Sequence, residues 1–229
     1  MTRNLGSSRV AVVEDQTLFA EALDVALTLE GHDVHRIALT TNDRAVGSLL
    51  SSVLRVRPQV VLLDLSLGAA GSGVPLIDPL AHSGAAVVVI TGSCDQVLWG
   101  EALRAGASTV LPKSEPLNTI LATIRHISNG RRVLPRETRE QLIGGYLNNK
   151  SEVHDLRRRL ETLTPRERYV LGHLMHGRTV REIAVLSVVS EATVRTQVKS
   201  ILAKLHVSSQ LAAVGIAHRA ALHAGDVLV

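Results

Sequence analysis

Hydrophobic and polar positions follow two different patterns along the chain, and the pattern changes near residue 130. Before that point, short continuous apolar runs alternate with stretches in which apolar residues recur every three or four positions. Continuous short runs are typical of strands buried on both faces, whereas the three-and-four spacing is typical of helices. After residue 130 the helical spacing continues without any strand-like run. The chain is therefore predicted to contain two parts of different fold class.

Five apolar runs in the first part predict five strands, with helices between them and after the last. The strands are predicted at residues 9–13, 32–38, 60–63, 85–90 and 108–111, and the later helices at 45–56, 75–82, 95–105 and 115–128. In the first helix, the spacing of Leu18, Ala22, Val25 and Leu29 predicts the buried face. Strands that alternate with helices predict an α/β fold, a doubly wound five-stranded parallel sheet.

The second part divides into a linker and a domain without strands. Residues 131–162 are rich in charge and are predicted to form a helical linker, broken at Gly144-Gly145 and Asn148-Asn149, with a surface helix over 151–161. From residue 163 onward, short helices predict an all-α domain. Thr164 and Thr179 each precede a glutamate by three positions, a pattern that is typical of helix N-termini. The predicted boundaries are therefore 1–130, 131–162 and 163–229.

Charge separates the same two parts. The net charge of +4 over 229 residues combines −3 in residues 1–130 with +7 in residues 131–229, so the second part is the one expected to bind a polyanion. Aromatic residues make up only 2% of the chain, which disfavours recognition by base stacking. The single cysteine, Cys94, excludes an internal disulfide and a multi-cysteine zinc site. No signal peptide or membrane-spanning run is recognised, so a cytoplasmic protein is expected.

Reactive side chains follow the predicted strands at the ends where a parallel sheet binds ligands. They are Glu14 and Asp15 after the first strand, Asp64 after the third, Thr91 after the fourth and Lys113 after the fifth. Carboxylates that converge need a cation, and Mg²⁺ suits a site that also receives phosphate oxygens. Asp64 is then the candidate nucleophile toward a phosphoryl group, with Thr91 and Lys113 contacting its oxygens.

The helix that begins near residue 191 has one apolar side and a basic, polar remainder. Arg195, Thr196, Lys199 and Lys204 lie away from the apolar side, in a helix suited to the DNA major groove. Thr179, Thr193 and Gln197 are candidates for phosphate contacts. From periodicity alone, a small helical bundle with a solvated basic helix fits equally well.

Residues 9–128 resemble the receiver domain of response regulators. The resemblance rests on Val12-Val13-Glu14-Asp15, Val61-Leu62-Leu63-Asp64-Leu65, Val89-Ile90-Thr91-Gly92, Ala105-Gly106-Ala107 and Leu111-Pro112-Lys113. It implies a flavodoxin-like fold and a phosphoryl group accepted on Asp64 from a sensor histidine kinase. It also implies Mg²⁺ held by Asp15, Asp64 and the main-chain carbonyl of Ser66, with Glu14 acting through water. Thr91 and Lys113 would hold the phosphoryl oxygens.

Residues 163–222 resemble the LuxR-type helix-turn-helix of NarL-like regulators. The matching positions include Leu163-Thr164-Pro165-Arg166-Glu167-Arg168, Arg181-Glu182-Ile183-Ala184, Thr193-Val194-Arg195 and Ile201-Leu202-Ala203-Lys204-Leu205. The resemblance implies that Arg195, Thr196 and Lys199 read bases of double-stranded DNA. It also implies that the last helix, about 209–224, forms a homodimer contact. Ser187, Gln197 and Gln210 depart from the usual residues, so the operator sequence is not predicted.

Together these features predict a phosphorylation-controlled transcriptional regulator of the two-component type, not an enzyme. Whether phosphorylation relieves inhibition or drives dimerisation stays open. Val110 stands where receivers usually carry an aromatic switch residue. A second hypothesis therefore stays open, in which the protein binds DNA constitutively and its receiver is an interaction or dimerisation module. An aspartate-based phosphatase is disfavoured, because such enzymes carry a second aspartate where this chain has Ser66.

Overall fold

The computed structural model describes residues 7–39 and 46–222. The chain divides into two compact units, residues 1–146 and 147–229. Residue 45, predicted to begin the second helix, and residues 223–224, predicted to end the last one, lie outside the described residues.

The first unit is built on a parallel sheet of five strands. The strands are β1 (Arg9–Val13), β2 (Asp33–Arg36), β3 (Val60–Leu63), β4 (Ala86–Thr91) and β5 (Thr109–Pro112). Their order is β2-β1-β3-β4-β5, and each neighbouring pair is parallel. This doubly wound arrangement confirms the predicted α/β fold; the bounds of β1 and β3 are as predicted, and those of the other three strands differ by one or two residues.

Helices cover both faces of this sheet. They are α1 (Thr17–Leu29), α2 (Val46–Val56), α3 (Val74–His82), α4 (Gln96–Arg104) and α5 (Leu117–Ser128). One core cluster joins Leu23 of α1 and Ile120 of α5 to the sheet, and the other joins Leu49 of α2 and Leu76 of α3 to its opposite face. Because both faces are buried, the central strands are apolar apart from Arg9 at the start of β1 and Thr91 at the end of β4.

The buried face predicted for α1 is wrong. Leu18 and Leu29 are each 83% exposed, whereas Leu23 and Leu27 are almost completely buried. The helix carries apolar residues at helical spacing on two sides, and only one of them can face the sheet. Periodicity identifies both stripes but does not decide between them.

The breaks predicted in the linker are also wrong. A single 26-residue helix, α6 (Arg136–Glu161), runs through Gly144-Gly145 and Asn148-Asn149. A glycine inside a helix destabilises it by about 1 kcal/mol, which does not by itself end the helix. Packing compensates here, because Leu142 and Ile143 contact the core of the first unit and Val153 is buried.

The second unit is helical, as predicted. After α6 it contains α7 (Pro165–Met175), α8 (Val180–Ser187), α9 (Glu191–Leu205) and α10 (Gln210–Leu222). Its core includes Val170, Ile183, Val194 and Ile201. Across the described ranges, no single helix has both the length and the apolar character needed to cross a bilayer, although α9 and α10 taken together as a bent pair pass that test.

Candidate functional site

Three carboxylates meet at the carboxyl ends of β1 and β3. One oxygen from each of Glu14, Asp15 and Asp64 lies within 4.8 Å of the other two. Glu14 and Asp64 are buried, and Asp15 is exposed. The sheet register explains the meeting, since Val13 pairs with Leu63 and the residues that follow leave the sheet side by side. The structure therefore brings the predicted acidic residues together.

Lys113 joins the cluster from the end of β5. Its Nζ donates to Oε1 of Glu14 and to Oδ2 of Asp64, both at 2.7 Å. The ammonium also lies 5.3 Å from the ring centroid of Phe19, on α1, within the range of a cation–π interaction. Lys113 is thus held between two carboxylates and an aromatic ring.

The close packing of these charges changes their acid–base behaviour. Burial raises the pKa of Glu14, and the neighbouring charge of Asp64 adds to that rise; together they outweigh the hydrogen bonds that Glu14 receives. Burial alone would lower the pKa of Lys113, but its bonds to Asp64 and Glu14 outweigh that effect and raise it. The site therefore favours a positive charge beside its carboxylates.

The backbone around Asp64 fixes the orientation of its carboxylate. Oδ1 of Asp64 accepts a hydrogen bond of 3.0 Å from the main-chain N–H of Ser66. A Cβ atom at Gly73 would overlap the carbonyl oxygen of Asp64, so only glycine fits this approach. Thr91 is 2% exposed at the end of β4, the strand next to β3. Asp64, Ser66 and Thr91 therefore lie at one edge of the sheet.

The donor set suits a hard divalent cation such as Mg²⁺. Mg²⁺ binds oxygen ligands at about 2.1 Å, and the three carboxylate oxygens, all within 4.8 Å of one another, lie near enough to share one ion. Burial is the largest cause of the raised pKa of Glu14, and the charge of Asp64, which a cation would compensate, adds to it.

In the second unit, α7, α8 and α9 form a compact group whose helices begin at defined caps. Both predicted capping boxes are present, Thr164 with Glu167 and Thr179 with Glu182. Glu167 is buried and also accepts bonds from Ser200 at 2.6 Å and Lys204 at 2.7 Å. These contacts fix α9 against the start of α7.

The outward face of α9 carries three of the predicted DNA contacts. Arg195, Thr196 and Lys199 are all exposed. Arg195 pairs with Glu191 one turn earlier, at 3.4 Å, an exposed pair that contributes little stability. The Thr196 hydroxyl donates to the carbonyl oxygen of Ala192 at 3.0 Å, so Arg195 and Lys199 supply the charged groups that this exposed face offers to a ligand.

Of the other four predicted contacts, Thr179, Thr193 and Lys204 are bonded within the unit. The hydroxyl of Thr179 donates to Glu182, and that of Thr193 bonds to Ser190. Gln197 is half-buried, and Lys204 is bound to Glu167. The structure thus places Arg195, Thr196 and Lys199 together on the exposed face and gives Lys204 a structural bond.

Sequence reasoning missed three residues that shape these sites. Phe19 and Gly73 act by proximity to Lys113 and Asp64, which no spacing along the chain reveals. Glu167 was identified only as a cap, because its partners on α9 are more than thirty positions away. A signal did exist for Gly73, which closes a glycine-rich loop after Asp64.

Two family models match the chain. Residues 10–125 match the response regulator receiver domain, and residues 161–217 match the bacterial regulatory proteins of the luxR family. The chain is 28% identical over 205 residues to the transcriptional regulatory protein LnrK of Bacillus subtilis, covering 87% of this chain and 91% of the relative. It is 29% identical over 216 residues to the probable transcriptional regulatory protein NarL of Mycobacterium tuberculosis, covering 92% and 94%.

A solved structure supports the fold. The crystal structure of a LuxR-family two-component response regulator from Aurantimonas sp. SI85-9A1 superposes with a TM-score of 0.50 at 19% identity, covering 62% of this chain and 99% of that one. The receiver match spans about half of the chain, and the luxR match covers most of the helical unit. The chain therefore belongs to the response regulators, as a transcription factor that joins a receiver domain to a LuxR-type helix-turn-helix DNA-binding domain.

Proposed function

We propose that this protein accepts a phosphoryl group on Asp64 from a sensor histidine kinase and binds specific double-stranded DNA as a homodimer. The observation that carries the proposal is the convergence of Glu14, Asp15, Asp64 and Lys113 at one sheet edge. We assign receiver function to residues 1–130, a linker to 131–162 and DNA binding to 163–229.

The residues around Asp64 suit phosphoryl transfer by positioning and charge. An Asp64 oxygen forms the new bond to phosphorus while the bond to the donor's imidazole nitrogen breaks and its electron pair leaves with that nitrogen. Ser66 N–H orients the carboxylate, and Lys113 offsets its charge. Glu14, Asp15, Asp64 and the Ser66 carbonyl would hold Mg²⁺, which when bound offsets charge on the phosphoryl oxygens. Thr91 would donate its hydroxyl to one of those oxygens.

Labelling with radioactive acetyl phosphate and Mg²⁺ tests the acceptor. We expect one acid-stable, base-labile phosphoryl group per wild-type chain, none in Asp64→Asn, and none when EDTA removes the metal. Asp78→Asn is the matched control, since Asp78 is an exposed carboxylate on α3. Equal labelling of Asp64→Asn and wild type would refute the assignment.

For DNA, the exposed face of α9 supports recognition through the major groove, with Arg195 and Lys199 directed at guanine edges and Thr196 at thymine methyl groups. A homodimer would read two half-sites, and α10 is proposed as its contact, with Leu211 82% exposed on that helix. Sequencing the DNA that the full chain selects from a random pool would test both points. Two related half-sites support the dimer, whereas a single half-site contradicts it.

One observation favours a second function, constitutive DNA binding with the receiver as an interaction module. Val110 is buried in the core of the first unit and carries no ring that could rotate between two positions. Under this alternative, Asp64→Asn would regulate and bind DNA as wild type does, with or without a phosphoryl donor.

A further inference from the structure

The loop after Thr91 is tied to α4 by two successive hydrogen bonds. The Thr91 hydroxyl oxygen accepts from the Ser93 main-chain N–H at 3.1 Å. The Ser93 carbonyl in turn accepts from the indole N–H of Trp99 at 2.8 Å. Trp99 lies on α4 and packs against the core of the first unit. A side chain at the phosphoryl site is thus connected to a helix on the sheet's flank.

The same helix is fastened to the first half of α6. Gly100 follows Trp99 directly, and a Cβ atom there would overlap the carbonyl oxygen of Leu142 and lie 2.9 Å from Cβ of Tyr146. The Arg139 guanidinium donates to the carbonyl oxygens of Leu103 at 2.7 Å and Ala107 at 2.8 Å, at the C-terminal end of α4. Close backbone approach and a charged cap therefore hold α6 on α4.

We propose that Trp99 is a positioning residue for Thr91 and that it couples the phosphoryl state of Asp64 to the docking of α6 on α4. This inference rests on the proposed phosphorylation of Asp64. It assigns the signal a route through α4 that needs no ring at position 110, where Val110 offers none.

The geometry indicates how a movement of Thr91 would reach α6. The bond from Ser93 N–H to the Thr91 hydroxyl is 3.1 Å long, near the long end of ordinary N–H···O bonds at about 3.2 Å, so drawing the hydroxyl toward a phosphoryl oxygen weakens it. Ser93 must then move or lose that acceptor, and its carbonyl carries the change to Trp99. Gly100 leaves no space between α4 and Leu142, so a shift of α4 disturbs the docked part of α6. Because such coupling is reciprocal, undocking of α6 changes the free energy of phosphoryl binding at the site by the same amount as phosphorylation changes the free energy of docking.

Hydrogen exchange of the full-length chain, measured by mass spectrometry with and without acetyl phosphate and Mg²⁺, tests the coupling. Intact mass gives the phosphoryl occupancy of each sample. For wild type we expect exchange in residues 136–146 to become at least about fivefold faster on phosphorylation. Trp99→Phe keeps a ring but removes the N–H donor, so we expect no change in exchange on phosphorylation when it is compared with wild type at matched phosphoryl occupancy.

A second pair of variants tests the docking itself. Gly100→Ala should make exchange in residues 136–146 fast before phosphorylation, whereas Gly144→Ala, placed on α6 in open space, should not. The coupling is overturned if Trp99→Phe responds as wild type does, if Gly100→Ala leaves exchange unchanged, or if occupied wild type shows no change. An absence of phosphoryl groups on wild type would instead overturn the proposed function, and the coupling with it.

Discussion

The two capping boxes of the DNA-binding domain have the same sequence pattern but different surroundings, and this difference predicts their stability effects. Thr164 and Glu167 form one box, and Thr179 and Glu182 form the other. Glu167 is buried and bonded to Lys204 and Ser200, whereas Glu182 is exposed. We therefore expect Glu167→Gln to destabilise the domain far more than Glu182→Gln.

The pKa of Glu167 provides the magnitude. Burial alone would raise this pKa, but the bonds from Lys204, Ser200 and Thr164 lower it from 4.5 to about 2. A difference of that size corresponds to roughly 3 kcal/mol between the ionised and protonated forms at 1.36 kcal/mol per pKa unit. Because the folded-state pKa is depressed, this stability is fully present above pH 4.5 and is lost as the pH falls toward 2. The Gln side chain in Glu167→Gln is uncharged at every pH, as protonated Glu167 is, so the variant lacks this stability throughout.

Thermal and urea unfolding of the full chain at pH 7 provides the assay, with α9 followed by hydrogen exchange. We expect Glu167→Gln to cost about 3 kcal/mol, equivalent to a fall in Tm of roughly 10–20 °C for the helical domain. Glu182→Gln should lower the free energy of unfolding by only a small fraction of that cost. At pH 3 the gap between wild type and Glu167→Gln should narrow. Equal effects of the two variants at pH 7, or a gap that widens in acid, would refute the reasoning.

Three further substitutions test other parts of the structure. Gly73→Ala should slow phosphoryl labelling by about tenfold or more, because its Cβ would displace the Asp64 backbone; Gly47→Ala, in open space, should label normally. Val188→Asn should stabilise the helical domain by about 1 kcal/mol in urea unfolding, since a β-branched residue is strained at φ 53°; Val185→Asn, on an exposed helical position, should give no gain. Arg195→Ala should weaken binding to selected DNA by about 1–3 kcal/mol in a mobility-shift titration, with non-specific binding little affected, and Arg136→Ala should change neither. Normal labelling by Gly73→Ala, a loss of stability in Val188→Asn, or equal specific and non-specific losses in Arg195→Ala would contradict the respective assignments.

The sequence predicts the sheet and the meeting of the acidic residues because both follow from local pattern. Parallel strands place their carboxyl ends at one edge, so the sequence alone predicts that Glu14, Asp64 and Lys113 lie together. The contacts that Lys113 makes with Phe19 depend on how α1 rotates about its axis. The sequence predicts the wrong rotation, because α1 has a second stripe of apolar residues, which includes Leu18 and faces away from the sheet.

Long-range packing explains the other differences. The sequence of α6 contains two adjacent glycines that suggest a break, but the contacts of Leu142 and Ile143 with the receiver core outweigh the helical penalty. Similarly, the bond between Lys204 and Glu167 could not be predicted, since nothing near Lys204 in the chain indicates it. Local patterns define elements, whereas the partners of individual side chains are set by the tertiary fold.

A mobility-shift titration on selected DNA, with and without acetyl phosphate and Mg²⁺, tests the central claim most directly. We expect the phosphoryl donor to change the affinity of wild type by at least about tenfold, which is 1.4 kcal/mol. Asp64→Asn should show no response to the donor while retaining its helical domain. An identical affinity of wild type in both conditions, or an equal response of Asp64→Asn, would contradict control of DNA binding through Asp64.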